Sequence, residues 1–172
     1  MEDYNNYFPF FLKEQQKKVF NALCDFVNNP DDKIFILRGY AGTGKTTLIG
    51  GFINKLSKEG LEEKRSPFAV LASTGRAAKI LSDKTSVDVI TIHSLIYKFA
   101  DLLGDLFKYD KNGKFIFVGD PCQLPPVSQK ESPALEPDYL RHSYNSNVKV
   151  YTLIEILRQK DNNDILQCAF NL

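Results

Sequence analysis

One stretch of eight residues constrains the fold of this chain more than any other. Residues 39–46, GYAGTGKT, match the pattern G-x-x-x-x-G-K-[ST] at every fixed position. A continuous apolar run, KIFILR at 33–38, precedes this loop, and a run over 46–57 with helical apolar spacing follows it. Because a short continuous apolar run is typical of a buried parallel strand, the segment predicts a strand, a glycine-rich loop and a helix.

The same loop predicts a site for phosphate groups. Its glycines let the backbone N–H groups point inward, and the following helix presents its N-terminus to an anion. Lys45 adds a positive charge to the phosphates, and Thr46 offers a hydroxyl to Mg²⁺. The predicted nucleotide-binding residues are Gly39, Ala41, Gly42, Thr43, Gly44, Lys45, Thr46 and Thr47, with Thr46 as the metal ligand. Kinases, GTPases and motors all carry such a loop, so it predicts a nucleoside triphosphate without fixing the reaction.

Strands and helices are predicted to alternate along the rest of the chain. The further strands are expected at 68–72, 115–118 and 148–151, and the further helices at 13–28, 75–81 and 164–171. This alternation predicts an α/β domain with a mainly parallel sheet flanked by helices. The stretch 121–147 holds five prolines and is predicted to be a long surface connection.

Composition excludes several classes of protein. The chain is 43% hydrophobic and 25% charged, the proportions of a globular domain. Its net charge is only +1, so any contact with nucleic acid must use a local basic patch. Its three cysteines form no CxxC pattern, so a disulfide framework or zinc site is not expected. No apolar run is long enough to cross a membrane, and the acidic N-terminus is unlike a secretory signal. A cytoplasmic protein is expected.

Several segments, taken in order, carry a more specific pattern than the glycine-rich loop. They are LKEQQK at 12–17, STGRAAK at 73–79, TIHSL at 91–95, GDPCQLPPV at 119–127 and LIEILRQ at 153–159. In this order they resemble the first, RecA-like motor domain of superfamily 1 DNA helicases of the RecD-like, 5′-to-3′ branch. The resemblance covers 12–172 and leaves 1–11 as an N-terminal arm, and it implies ATP, Mg²⁺ and single-stranded DNA as ligands of a monomer.

The resemblance implies a role for each matching residue. Gln16 matches the glutamine that binds the adenine edge, for which an amide has both a donor and an acceptor. Gln123 and Arg158 match residues that reach the γ-phosphate, and with Lys45 they form the implied catalytic set. The implied DNA-binding residues are Thr74, Gly75, Arg76, Thr91, His93 and Ser94. Hydroxyls and backbone N–H groups suit contacts to a phosphate backbone.

Some of these residues have a plainer interpretation. Gln16 could be a solvated residue on its helix, and His93 could cap a helix or fill a gap. Arg158 could be an ordinary surface arginine. Asp120 ends an apolar strand and could pass for a metal-binding carboxylate, although Gln123 and the residues after it favour the helicase motif.

One expected element is missing. The family carries an Asp-Glu pair at the end of a strand between the TIHSL and GDPCQ segments, and no such strand is present over 96–114. That pair holds Mg²⁺ and orients the attacking water, so weak ATP hydrolysis is expected. The strands ending at Ala72 and Val118 could pair directly, residues near 87–91 could fill the gap, or the segment could be an internal deletion, which is the favoured interpretation. The resemblance also implies a second motor domain, which is not expected within residues 1–172.

Three functions remain open at this point. The first is the ATP-binding motor domain of a DNA helicase, whose intact parent couples ATP hydrolysis to movement on single-stranded DNA. The second is a non-hydrolysing nucleotide-binding module, which fits the missing carboxylates. The third, a small-molecule kinase, predicts an arginine-rich lid, whereas 121–147 contains only Arg141.

Overall fold

A computed structural model of the 172-residue chain describes residues 4–60, 70–72, 75–85, 87–91, 104, 107, 113–120 and 133–157. The helices are α1 (Glu14–Asn28), α2 (Lys45–Gly60), α3 (Gly75–Lys84) and α4 (Pro137–Tyr144). The strands are β1 (Ile34–Gly39), β2 (Val70–Ala72), β3 (Val89–Thr91), β4 (Phe115–Gly119) and β5 (Val148–Leu153). Short 3₁₀ turns span Tyr4–Asn6 and Pro133–Leu135. The predicted helix at 164–171 lies outside the described residues.

The glycine-rich loop leaves the central strand of a parallel sheet. Its order is β4-β1-β5, and Ile34 pairs with Phe115 on one side and Val148 on the other. Alternate residues of β1 enter two different cores, with Phe35 in the first and Ile36 in the second. Both faces of β1 are therefore covered, which explains why its sequence is continuously apolar instead of alternating.

The first core lies between the sheet and the helices α1 and α2. Phe20 and Phe52 meet edge to face there, with ring centroids 6.1 Å apart. The predicted N-terminal arm also belongs to this core, because Phe8 is buried and its ring centroid lies 5.4 Å from that of Phe20. No helix in the described part of the chain is long and apolar enough to cross a membrane.

The prediction of a surface connection over 121–147 is wrong for its second half. Residues 133–135 form a 3₁₀ turn, and α4 follows with Pro137 in its first turn, a position that tolerates proline because the N–H there needs no intrahelical partner. Leu140 of α4 is fully buried and packs with Ile34 and Ile36. The helix is needed because the second face of β1 would otherwise be exposed. Residues 121–132 lie outside the described part.

The remaining two strands form a separate parallel sheet. β2 pairs with β3, with Ala72 opposite Thr91, and β3 is a strand that the apolar runs did not predict. Among the described residues, neither of these strands pairs with β4. Direct pairing of the strands ending at Ala72 and Val118 is therefore not observed. Residues near 87–91 do form a strand, but it lies beside β2 and does not join β2 to β4.

Candidate functional site

The predicted phosphate loop lies between the carboxyl end of β1 and the start of α2. Gly42 and Gly44 have φ angles of 82° and 86°, which side chains rarely adopt and which turn the loop back on itself. Thr43 is buried inside this turn, and its hydroxyl donates to the carbonyl of Tyr40 over 2.9 Å. Two glycines and one buried hydroxyl therefore shape the loop.

Strand β5 packs so closely against position 39 that only glycine fits there. A Cβ atom at Gly39 would lie 2.7 Å from the Leu153 carbonyl oxygen and 2.8 Å from the Thr43 hydroxyl, both too close for a side chain. Gly39 and Leu153 are paired in the parallel register. The first glycine of the motif is thus required by the packing of β1 against β5 at the place where the loop begins.

Lys45 points back over the loop. Its ammonium donates to the carbonyl oxygens of Gly39 and Tyr40, the latter over 2.8 Å. Burial lowers the pKa of Lys45, and the charge of Asp120 opposes that shift. Phosphate oxygens accept from an ammonium more strongly than neutral carbonyls do, so the residue is placed to exchange these bonds for bonds to a phosphate.

Asp120 is a site residue that was considered from the sequence as a metal-binding carboxylate and left out of the predicted site. It follows the carboxyl end of β4, next to the end of β1, because Gly119 pairs with Arg38 in the register. The side chain is buried, and its charge acts on Lys45. The apolar strand before Asp120 was the available signal, since carboxyl ends of parallel strands meet at one edge of a sheet.

Gln16 lies against the loop and not on the solvated face of α1. It is 4% exposed, so its interpretation as a solvated residue is wrong. Its Oε1 accepts from the backbone N–H of Lys13 over 3.1 Å, whereas its buried Nε2 has no partner within the described residues. A Cβ atom on Gly44 would lie 2.9 Å from that Nε2. An unpaired donor is thus buried beside the phosphate loop, which suits an acceptor on a bound molecule.

The other predicted site residues fall into three groups. Thr46 and Thr47 are half-buried in the first turn of α2, and Ala41 is exposed on the loop. Gly75 and Arg76 are exposed at the start of α3, and Thr91 ends β3. Thr74, His93, Ser94, Gln123 and Arg158 lie outside the described residues. Among the described residues, no group of three His, Cys, Asp or Glu side chains could hold a metal ion.

A parallel α/β sheet with this loop at the carboxyl end of its central strand defines a domain of the P-loop class. A family model described as AAA domain matches residues 11–111, more than half of the chain, and the chain belongs to that family.

Two solved helicase structures have a similar fold. The structure of Pif1 helicase from Bacteroides in complex with ADP-AlF3 and ssDNA matches 94% of this chain with a TM-score of 0.60 and 20% identity. Pif1 helicase from Candida albicans matches 94% with a TM-score of 0.58 and 21% identity. At these identities the likeness establishes the fold, which is the RecA-like fold of helicase motor domains, as the sequence predicted.

The relatives are considerably longer than this chain. The chain spans 46% and 44% of the two solved helicase chains. An uncharacterized protein of Acanthamoeba polyphaga mimivirus is 28% identical over an alignment that covers 69% of this chain and 34% of the viral protein.

Proposed function

We propose that this chain is the ATP-binding N-terminal motor domain of an ATP-dependent DNA helicase. In this proposal residues 1–11 are an N-terminal arm and residues 12–172 an incomplete motor domain. The observation that carries the proposal is the unpaired Nε2 of Gln16, buried beside Gly44 of the phosphate loop. A hydrogen-bond donor at that point can bind an acceptor atom of the base, while the loop and Lys45 bind the phosphates. The site therefore offers partners to both ends of a nucleotide.

Each side chain at the loop has a defined task in this proposal. Lys45 neutralises phosphate charge, and the hydroxyl of Thr46 is available to Mg²⁺. When bound, Mg²⁺ would neutralise the charge that develops between the outer phosphates. Gln123 and Arg158 are assigned to the γ-phosphate by their match to the family motifs. The solved Pif1 helicase complexed with ADP-AlF3 and ssDNA makes both ligands reasonable ones for this chain.

The DNA side of the proposal rests on the second sheet. β2 and β3 are parallel, with Ala72 opposite Thr91, so their carboxyl ends lie side by side. Gly75 and Arg76 begin α3 just after β2 and are exposed. A guanidinium beside the N-terminus of a helix can bind a phosphate backbone without reading sequence. We assign Thr74, His93 and Ser94 to the same contact, and we place the intact protein in the superfamily 1, RecD-like, 5′-to-3′ branch.

A non-hydrolysing nucleotide-binding module is the second candidate. The observation in its favour is the lack of an Asp-Glu pair over 96–114. Asp120 is a buried carboxylate whose charge acts on Lys45, and a single such group does not replace two acids that hold the metal and orient water. Both candidates require ATP binding. They differ in whether single-stranded DNA stimulates hydrolysis by the intact protein. The expectation of a cytoplasmic monomer stays a prediction.

Thermal unfolding with and without ATP and Mg²⁺ tests the proposal. A ligand that binds only the folded chain raises the midpoint by mass action. The wild-type chain should show such a rise, and Lys45→Ala should lose it. The matched control is Lys79→Ala, which removes an exposed lysine from α3 and should keep the full response. Equal responses of wild type and Lys45→Ala would contradict binding at this loop.

A further inference from the structure

Gln15, next to the proposed base-binding residue, ties the start of α1 to the chain after β5. Its Nε2 donates to the carbonyl of Thr152 over 3.1 Å. Its Oε1 accepts from the backbone N–H groups of Ile154 and Glu155 over 3.2 and 3.4 Å. One side chain thus satisfies three backbone groups that lie 137 to 140 positions away in the sequence.

The segment that Gln15 holds, Ile154 to Leu157, reaches the phosphate loop. The backbone N–H of Leu157 donates to the carbonyl of Gly42 over 2.9 Å. The side chain of Leu157 also meets the space above Gly44, where a Cβ atom would lie 2.9 Å both from Leu157 Cδ1 and from Gln16 Nε2. Gln16 and Leu157 therefore flank the same glycine from two different elements.

The other links between these elements are weaker. An ion pair of 3.0 Å joins Lys13 to Glu155, but both side chains are about half exposed. Exposed ion pairs contribute little, because water screens them and both side chains lose rotamer freedom. Gln15 is half-buried and uses both ends of its amide, so among the described contacts it carries the alignment of α1 with the segment after β5.

We propose that Gln15 is a positioning residue that sets the base end of the nucleotide site, an inference that rests on the proposed function. By holding Ile154 to Leu157 in register with α1, it fixes the separation of Gln16 and Leu157 across Gly44. Lys45 and the loop backbone are built from β1 and α2, and the bond that joins the loop to this segment, from the Leu157 N–H to the Gly42 carbonyl, does not involve Gln15. Loss of Gln15 should therefore weaken recognition of the nucleoside while binding of a bare triphosphate is retained.

The test compares ATP with inorganic tripolyphosphate by calorimetric titration of the full chain. Gln15→Met keeps the length of the side chain and removes all three hydrogen bonds, and it should weaken ATP binding about tenfold. Tripolyphosphate affinity should stay within about twofold of the wild type. Gln15→Glu keeps the acceptor oxygens and loses the donor, so it should restore part of the ATP affinity. The matched control Lys18→Met changes an exposed residue on the same helix and should bind both ligands like the wild type.

The outcomes separate this inference from the proposed function. Unchanged ATP affinity in Gln15→Met, or an equal loss for ATP and tripolyphosphate, would overturn the positioning role while leaving the proposed function intact. If Gln15→Met does not fold, the same comparison is made with Gln15→Glu, for which a selective loss of ATP affinity is expected and an unselective one would refute the role. Absence of ATP binding by the wild-type chain would overturn both.

Discussion

The two sheets of this molecule differ in the length of their strands and in the exposure of the residues around them. The sheet β4-β1-β5 has strands of five or six residues, and its central strand is buried on both faces. The sheet β2-β3 has strands of three residues, and the start of α3 beside it is exposed. The proposed nucleotide site lies on the first sheet and the proposed DNA contact on the second. Tight packing therefore accompanies the proposed site for a small molecule, and exposure accompanies the proposed site for a polymer.

We call the sheet β4-β1-β5 with α1 and α2 the first region, and the sheet β2-β3 with α3 the second region. The largest expected effect tests whether the first region contributes more to the free energy of unfolding than the second. Phe20→Ala removes a fully buried ring between α1 and α2 and should lower the free energy of unfolding by about 3–5 kcal/mol. Ile80→Ala on α3 is the matched truncation near the second sheet, and because Ile80 is 43% exposed it should cost below about 1 kcal/mol. Urea unfolding measures both. Equal losses would remove the distinction between the two regions.

The second effect concerns the way in which β4 is attached to the rest of the first region. Lys114 precedes β4, and its ammonium donates to the carbonyls of Phe26, Asn29 and Asp32 where α1 turns into β1. Hydrogen bonds from a charged donor are strong, so Lys114→Met should destabilise the chain by about 2 kcal/mol.

Lys149→Met is the control for Lys114→Met, since among the described contacts it removes only an ion pair of 3.6 Å to Asp32. It should change the free energy of unfolding by about 0–1 kcal/mol. A loss as large as that of Lys114→Met would mean that the charge near Asp32, and not the three carbonyl contacts, accounts for the effect of Lys114.

How much the sequence could predict depends on whether the signal for an element is local in the chain. The strand, loop and helix around Lys45 were predicted within a few residues, because a continuous apolar run and a glycine pattern are local signals. The strand Val89–Thr91 was offered only as one alternative, and with the wrong position in the sheet, because three residues show no periodicity. Helix α4 was missed because its prolines suggested a loop, although proline in a first turn starts a helix. The contacts of Gln15 with the chain after β5 carry no sequence signal, since they exist only once α1 and β5 have packed.

The third effect tests the second region as a polymer site. Arg76→Ala should lower the affinity for a fluorescent oligothymidine and reduce the slope of log affinity against log salt by about 1, as expected for one phosphate contact. The ATP-induced rise in unfolding temperature should be unchanged, because Arg76 lies on α3 and the phosphate loop on β1 and α2. Lys84→Ala, at the other end of α3, is the control and should bind the oligonucleotide like the wild type. Equal weakening by both variants would indicate a diffuse charge effect and no defined contact.

The smallest effect is a pH dependence that only the first region should show. Burial lowers the pKa of Lys45 in the folded chain below its ordinary value of 10.5. Between the lowered pKa and 10.5 the unfolded chain binds more protons, so this residue makes stability rise with pH across that window. Urea unfolding should therefore show the wild type gaining stability relative to Lys45→Met as the pH approaches 10.5.

The control for this pH dependence is Lys79→Met, which removes an exposed lysine from α3 and should retain the wild-type rise. An identical pH profile for Lys45→Met and the wild type would show that the ammonium of Lys45 is as well solvated when folded as when unfolded. The carbonyls of Gly39 and Tyr40 would then compensate fully for its burial, and the loop would hold no excess positive potential for a phosphate to relieve. The size of the rise in stability with pH therefore measures how strongly burial in the first region destabilises the ammonium of Lys45, which a bound anion would stabilise.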